Sequence, residues 1–228
     1  MGPGELTARG GTAEYQRDRR RLVKHLRTRG VRDLGLLHAF DTVPRHLFVP
    51  EVFRGRAYED IPLPIGAGQT ISSPTIHALS IECAGVRAGQ RVLEVGTGAG
   101  FQTALLATLG AEVYSIERIA SLHEGAARAL ARVGMEAHLM LGDGSLGWPE
   151  HAPFHAIIVG AATARPPAAL LEQLAGGGRM IVPVGGRRQE LYRYTRRGED
   201  VSREKLTRVR FVPLIEESRR GGGRGPGR

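Results

Sequence analysis

The sequence has one cysteine, Cys83, which excludes an internal disulfide framework and a multi-cysteine zinc site. No metal ligand set is expected. No apolar run approaches the ~20 residues needed to cross a bilayer, and the N-terminal MGPGELTARGG lacks the apolar core of a secretory signal. A cytoplasmic protein without a membrane partner is the expectation. Aromatic residues make up only 5% of the chain, and none interleaves the basic charges of the C-terminal tail as base-stacking platforms do. What is present is ordinary for a soluble globular protein: 41% hydrophobic and 24% charged residues. The 228 residues suffice for one α/β domain and a small appendage.

The formal charge is +9. Residues 1–30 carry +5 and residues 216–228 carry +2, so the middle is nearly neutral. Basic flanks could draw in nucleic acid or acidic proteins. Solvated, Arg-rich ends are the plainer account, and nucleic acid is not an expected partner.

Residues 1–11 are Gly-rich and are expected to be disordered. A basic helix is expected from Thr12 into Arg29, with Leu22, Val23 and Leu26 as its apolar stripe. A second helix fits Asp33–Thr42, closed by Pro44. Residues Arg45–Ser73 read as one long irregular stretch whose apolar residues pack. Ser73 and Pro74 then mark the start of a helix over Pro74–Ala84.

From there strands and helices alternate. Strands are expected at Arg91–Val95, Glu112–Ile116, Ala137–Leu141, His155–Gly160 and Arg179–Pro183, the last after a Gly176–Gly178 turn. Helices are expected at Phe101–Leu109, Ala120–Val133 and Pro167–Leu174, and an antiparallel pair at Glu190–Thr195 and Leu206–Val212. This order implies an α/β fold: a doubly wound, mostly parallel, seven-stranded Rossmann-like sheet with an N-terminal helical extension. Ligands on such sheets bind beyond the carboxyl ends of the strands.

The best local signal is Glu94-Val95-Gly96-Thr97-Gly98-Ala99-Gly100, which leaves a strand and enters a helix. Its glycines allow φ > 0 and close backbone approach to a ligand. The spacing is Gly-x-Gly-x-Gly, not the Gly-x-Gly-x-x-Gly of a dinucleotide site. Glu94 would repel a pyrophosphate but suits the sulfonium and ammonium of S-adenosylmethionine. Glu117 closes the next strand, where a carboxylate can accept two ribose hydroxyls. Asp143 and Gly144 follow the third strand, on the adenine side. Each feature alone has a structural explanation, as a tight turn or a helix cap. Together they describe a nucleoside site, with a nicotinamide or flavin site as the runner-up.

The runs RHLFVP (45–50), AYEDIPLPIGAGQTISSP (57–74), VLEVGTGAGFQTALLA (92–107), VYSIER (113–118), GDGSLGWPEHAPFHAIIV (142–159) and RFVPL (210–214) resemble the protein-L-isoaspartate O-methyltransferase family of class I methyltransferases. The glycine loop alone says class I methyltransferase; Thr-Ile-Ser-x-Pro and the run after Gly142 are specific to this family. The resemblance implies methyl transfer from S-adenosylmethionine, leaving S-adenosylhomocysteine, to the α-carboxyl group of L-isoaspartyl residues in damaged proteins and peptides. It implies Ser72 as the active-site and substrate-binding serine. It implies Thr70, Ile71, His77, Gly96, Thr97, Gly98, Glu117, Asp143 and Gly144 near the cofactor, beside Glu94 and Gly100 of the loop. It implies Val212, Pro213 and Leu214 along the peptide. The division that follows is a disordered 1–11, a 12–73 extension covering the active site, a 74–215 methyltransferase domain and a disordered tail at 216–228. A monomer is expected.

Blander accounts stand beside these. Ser72 or Ser73 could simply cap a helix, His77 could be a packed helix residue, Cys83 core, and Trp148 a packing anchor. Ile215 lacks the polar side chain that some members carry there. Some relatives act on normal aspartate in ribosomal peptides, and a nucleic-acid-binding module is a more distant alternative. Amino methylation of a base would need a motif such as Asn/Asp-Pro-Pro-Tyr/Phe after the fourth strand, where this chain has Val159-Gly160-Ala161-Ala162.

Overall fold

The computed structural model describes residues 12–215; the disordered ends expected at 1–11 and 216–228 lie outside them. Two helices come first, α1 (Thr12–Thr28) and α2 (Leu34–Thr42). Leu22 and Leu26, one turn apart on α1, are buried, while Arg17, Arg20, Arg21, Lys24 and Arg27 stay exposed. Asp33 precedes α2 as its N-cap, its Oδ1 accepting the Leu36 N–H at 3.0 Å.

The stretch Arg45–Ser73 is more regular than the sequence suggests. It contains 3-10 turns at Arg45–Leu47 and Glu51–Arg56 and an antiparallel hairpin, β1 (Leu63–Gly66) with β2 (Gln69–Ile71). The hairpin turns through Gly66, Ala67 and Gly68, all at positive φ.

After α3 (Pro74–Ala84) the chain alternates through β3 (Arg91–Val95), α4 (Phe101–Thr108), β4 (Glu112–Glu117), α5 (Ala120–Arg132), β5 (His138–Leu141), β6 (Phe154–Val159) and α6 (Ala168–Glu172). It ends in β7 (Leu174–Gly185), β8 (Gln189–Arg197) and β9 (Asp200–Val209). The seven strands lie in the order β5-β4-β3-β6-β7-β8-β9. The first five are parallel and the last two antiparallel.

Two expectations are corrected. The triplet Gly176–Gly178 is an irregularity inside β7, not a turn before it. The β6–β7 register shifts there, and a Cβ on Gly178 would fall 2.8 Å from the Ala175 carbonyl oxygen. The final hairpin turns near Gly198 (φ 63°), so β9 starts at Asp200 rather than Leu206 and ends before Phe211.

Strand alternation splits the core between the two faces of the sheet. Val92, Ala156 and Ile158 join Leu22, Leu26, Phe40, Phe101 and Leu105 on one side. Leu93, Val95, Ile157 and Val159 join Tyr114, Phe154 and Leu170 on the other, where Trp148 packs. The first side fastens the N-terminal helices to the sheet. No helix of the described residues is long and apolar enough to cross a membrane.

Candidate active site

Two adjoining clefts open beyond the carboxyl ends of β3, β4 and β6. The first is lined by Thr70, Ile71, Ser72, His77, Glu94 and Thr97, with Gln102, Phe101 and Phe211. The second is lined by Glu117, Arg118, Ile119, Gly144 and the strip Val212-Pro213-Leu214-Ile215. Ile65, Thr70, Gly96, Gly98 and Gly160 belong to both.

The glycine loop links the clefts. Gly96 and Gly98 have positive φ, and Gly96 donates its N–H to the Ile116 carbonyl at 2.8 Å. A Cβ on Gly98 would lie 3.3 Å from Ile65 Cδ1, so the hairpin rests directly on the loop. Gly100 does not line either cleft. It precedes α4 at φ 86°, and a Cβ there would press Ala126 at 3.3 Å, which makes it a packing position between α4 and α5.

Glu117 is buried, with Oε2 accepting the Gly98 N–H and Oε1 the Ile119 N–H, each at 2.9 Å. Each oxygen keeps acceptor capacity for a hydroxyl in the second cleft. Asp143 caps a 3-10 turn, its Oδ1 accepting the Ser145 N–H at 2.8 Å; its neighbour Gly144 lines the cleft and Asp143 does not. A Cβ on Gly144 would sit 2.4 Å from Val95 Cγ1, so only glycine lets this turn close on β3.

Glu94 is almost fully buried and gathers donors. Its Oε1 accepts from Gln102 Nε2 at 2.9 Å, and its Oε2 from the hydroxyls of Thr103 and Ser115. Thr97 bonds Ser115 Oγ at 2.6 Å and extends the chain of donors. Burial nonetheless pushes the Glu94 carboxyl up to about 7. Toward an ionised Glu94, Gln102 must present its NH₂ group, which turns its Oε1 to His77 Nδ1 at 3.0 Å. The His77 proton then sits on Nδ1. Burial, with the Arg45 charge adding to it, lowers this imidazole to about 3, so it is neutral. Its Nε2 is a buried acceptor with no partner among the described residues. An ammonium group in the first cleft would satisfy it.

Ser72 is braced from behind. Arg45, fully buried, donates from Nε to the Ala57 carbonyl (2.7 Å) and from Nη2 to the Ser72 carbonyl (2.9 Å). Asp60 accepts the Thr75 N–H at 2.8 Å and the Thr75 hydroxyl at 2.6 Å, and bonds His25 Nε2 at 2.9 Å. One carboxylate thus ties α1 to the start of α3. Ser73, at the N-cap position, makes no side-chain cap bond.

Val212 and Leu214 are pinned by Ala162, whose N–H donates to the Val212 carbonyl (2.8 Å) and whose carbonyl accepts the Leu214 N–H (2.6 Å). Gln189 clamps the Phe211 peptide: it accepts the Phe211 N–H at 2.6 Å and donates to the Phe211 carbonyl at 3.1 Å. Cys83 is half-buried and free, and burial raises its thiol, which fits a packing role. Among the described residues no group of three or more His, Cys, Asp or Glu is placed to hold a metal.

Arg45, Asp60, Gln102, Ser115 and Gln189 were not singled out from the sequence. Gln102 and Thr103 could have been: they open the helix after the glycine loop, 8 and 9 residues beyond Glu94. Asp60 and Gln189 act across 15 and 22 residues, and no local spacing reveals that.

The profile of the protein-L-isoaspartate(D-aspartate) O-methyltransferase family matches residues 17–219. This chain belongs to that family. A protein-L-isoaspartate O-methyltransferase from Dictyoglomus thermophilum is 48% identical over 208 residues, covering 90% of this chain and 94% of that protein. One from Methylorubrum populi is 52% identical over 198 residues, covering 86% and 93%. A solved protein-L-isoaspartate O-methyltransferase superposes with a TM-score of 0.78 at 31% identity, over 86% of this chain and 65% of that longer one. A Plasmodium falciparum structure named for the same activity, in complex with S-adenosyl-L-homocysteine, gives 0.75 at 26% identity, covering 86% of this chain and 97% of that one. Membership in the isoaspartate methyltransferase family carries its reaction, S-adenosylmethionine-dependent methylation of isoaspartyl residues in protein repair.

Proposed function

We propose that the first cleft holds the methionine end of S-adenosylmethionine beside the acceptor carboxylate, and the second cleft its adenosine. The observation that carries this is the set of three anchored acceptors on either side of the glycine loop: His77 Nε2 and Glu94 at one end, Glu117 at the other. His77 and Glu94 suit the ammonium, Glu117 the ribose hydroxyls, and the Gly144 turn the adenine edge. When bound, the cofactor supplies a methyl group on a cationic sulfur.

The chain's own task is then modest. A carboxylate is already ionised at neutral pH, so nothing in the first cleft has to take a proton. Ser72 donates a hydrogen bond to one carboxylate oxygen and leaves the other to attack. The positive end of the α3 dipole favours the anion as well. A merely capping role for Ser72 has little support, because Asp60 already satisfies the Thr75 N–H. Ile65 and Phe211 help to exclude water. Val212, Pro213 and Leu214 line the second cleft, and the peptide meets them where Phe211 carries the strip to the edge of the first. The substrates are isoaspartyl proteins and peptides, met by a monomer in the cytoplasm. Residues 12–73 act as the cover and 74–215 as the catalytic domain.

The test is Ser72→Ala. It should lose methyl transfer to an isoaspartyl peptide and keep its affinity for S-adenosylhomocysteine. Unchanged turnover removes Ser72 from the mechanism. Equal labelling of the matched aspartyl peptide by the wild type would favour aspartate modification over repair.

A further inference from the structure

Arg45 is a charge without a countercharge. Its side chain is fully buried, Nε and Nη2 go to backbone carbonyls, and Nη1 has no partner. No carboxylate of the described residues pairs with it. Asp60 is the acid whose charge bears on it, and Asp60 is engaged by Thr75 and His25. Tyr58 faces it as a neutral phenol, pushed up by burial, and His77 is neutral. A second buried cation, Arg19, lies by Tyr58 and adds to the positive side of the balance. Burial lowers the Arg45 guanidinium to about 9, which still leaves it charged at neutral pH.

Burying an unpaired charge is costly. Holding two carbonyls would not require a full charge. The place of the guanidinium suggests what it serves. It touches the Ser72 peptide unit, and its carbon lies 4.7 Å from the centre of the Phe101 ring; Ser72 and Phe101 both line the first cleft. A carboxylate bound there would be separated from Arg45 by one layer of protein, where screening by water is weak.

We propose that Arg45 is a specificity-determining positioning residue: its buried charge selects an ionised acceptor carboxylate in the first cleft over neutral groups of the same shape. This rests on the placement of the acceptor beside Ser72. The charge favours the anionic substrate over the neutral methyl ester, which helps product leave. The acceptor's negative charge is already fading in the transition state, so Arg45 strengthens substrate binding more than it speeds the transfer.

The experiment compares an isoaspartyl peptide with its side-chain-linked carboxamide analogue on the wild type, Arg45→Lys and Arg45→Gln, in the presence of S-adenosylhomocysteine for binding and S-adenosylmethionine for rates. The wild type and Arg45→Lys should prefer the carboxylate peptide. Arg45→Gln should lose the preference and raise KM for the isoaspartyl peptide roughly tenfold or more, with kcat much less affected. Affinity for S-adenosylhomocysteine should be unchanged. Preserved preference in a folded Arg45→Gln overturns the proposal. A wild type without any preference overturns instead the placement of the carboxylate in this cleft. If Arg45→Gln does not fold, carbon NMR of the labelled peptide carboxyl on the wild type decides. Its pKa should fall on binding, and an unchanged or raised value overturns the proposal.

Discussion

Glu94 is ionised only against the pull of its surroundings. Burial holds its carboxyl near 7 although Ser115, Thr103 and Gln102 all donate to it. A carboxyl raised on folding binds its proton more tightly in the folded state. Its contribution to stability is therefore present below the ordinary value near 4.5 and is lost as pH rises through about 7. Glu94→Gln should flatten that part of the stability profile, removing a loss on the order of 3 kcal/mol between the two pH limits. Urea unfolding at a series of pH values checks this, and parallel profiles for the two proteins would contradict it. Where the new amide turns its NH₂ group to Gln102 rather than to the Thr103 and Ser115 hydroxyls, the Gln102 amide turns over and the His77 proton moves from Nδ1 to Nε2. Glu94 thus lines the first cleft directly and also acts on it through Gln102 and His77, a second role that its position before the glycines does not betray.

At the level of elements, the N-terminus of α3 is held by a residue outside it. Burial would raise the Asp60 carboxyl, but the Thr75 hydroxyl and amide and His25 outweigh it and keep it below the usual range. That anchor is present above the ordinary carboxylate pKa and fades only as pH falls through the lowered folded value. Asp60→Ala should cost about 1 kcal/mol of stability, as for a lost helix cap. It should also slow methyl transfer more than it weakens cofactor binding, which steady-state kinetics and cofactor titration together report. The elements themselves differ in how far the sequence reveals them. The parallel strands and the helices between them stand out because β-branched runs and glycine punctuation repeat in register. The β1–β2 hairpin is obscured by Pro62 and Pro64, which read as breakers but sit on its exposed side. Its turn, Gly66-Ala67-Gly68 with Leu63, Ile65 and Ile71 around it, was the available signal. In β7 the glycine triplet reads as a stop, whereas neighbouring strands hold it in the sheet.

On the scale of the whole molecule, α1 and the sheet share one core. Leu26 on α1 is fully buried in the cluster that includes Phe101 and Val92. Leu26→Ala should cost about 2–5 kcal/mol. The single tryptophan, Trp148, packs against the opposite face of the sheet, so its fluorescence and far-UV circular dichroism should report the same shifted midpoint. Separate transitions would mean that the N-terminal helices melt alone. The sequence also contains no asparagine, so this chain cannot form by deamidation the damage that its family repairs. Asp143-Gly144 is its one Asp-Gly pair, and the Ser145 amide holds the Asp143 carboxylate in the turn. Prolonged warm incubation followed by peptide mapping should find isoaspartate at Asp143 in urea-unfolded protein and little in the folded enzyme. The hairpin, finally, is a wall common to both clefts through Ile65 and Thr70. With the acceptor in one cleft and the nucleoside in the other, as proposed, any coupling carried by this wall is reciprocal: by whatever factor the nucleoside tightens the grip on the peptide, the peptide tightens the grip on the nucleoside.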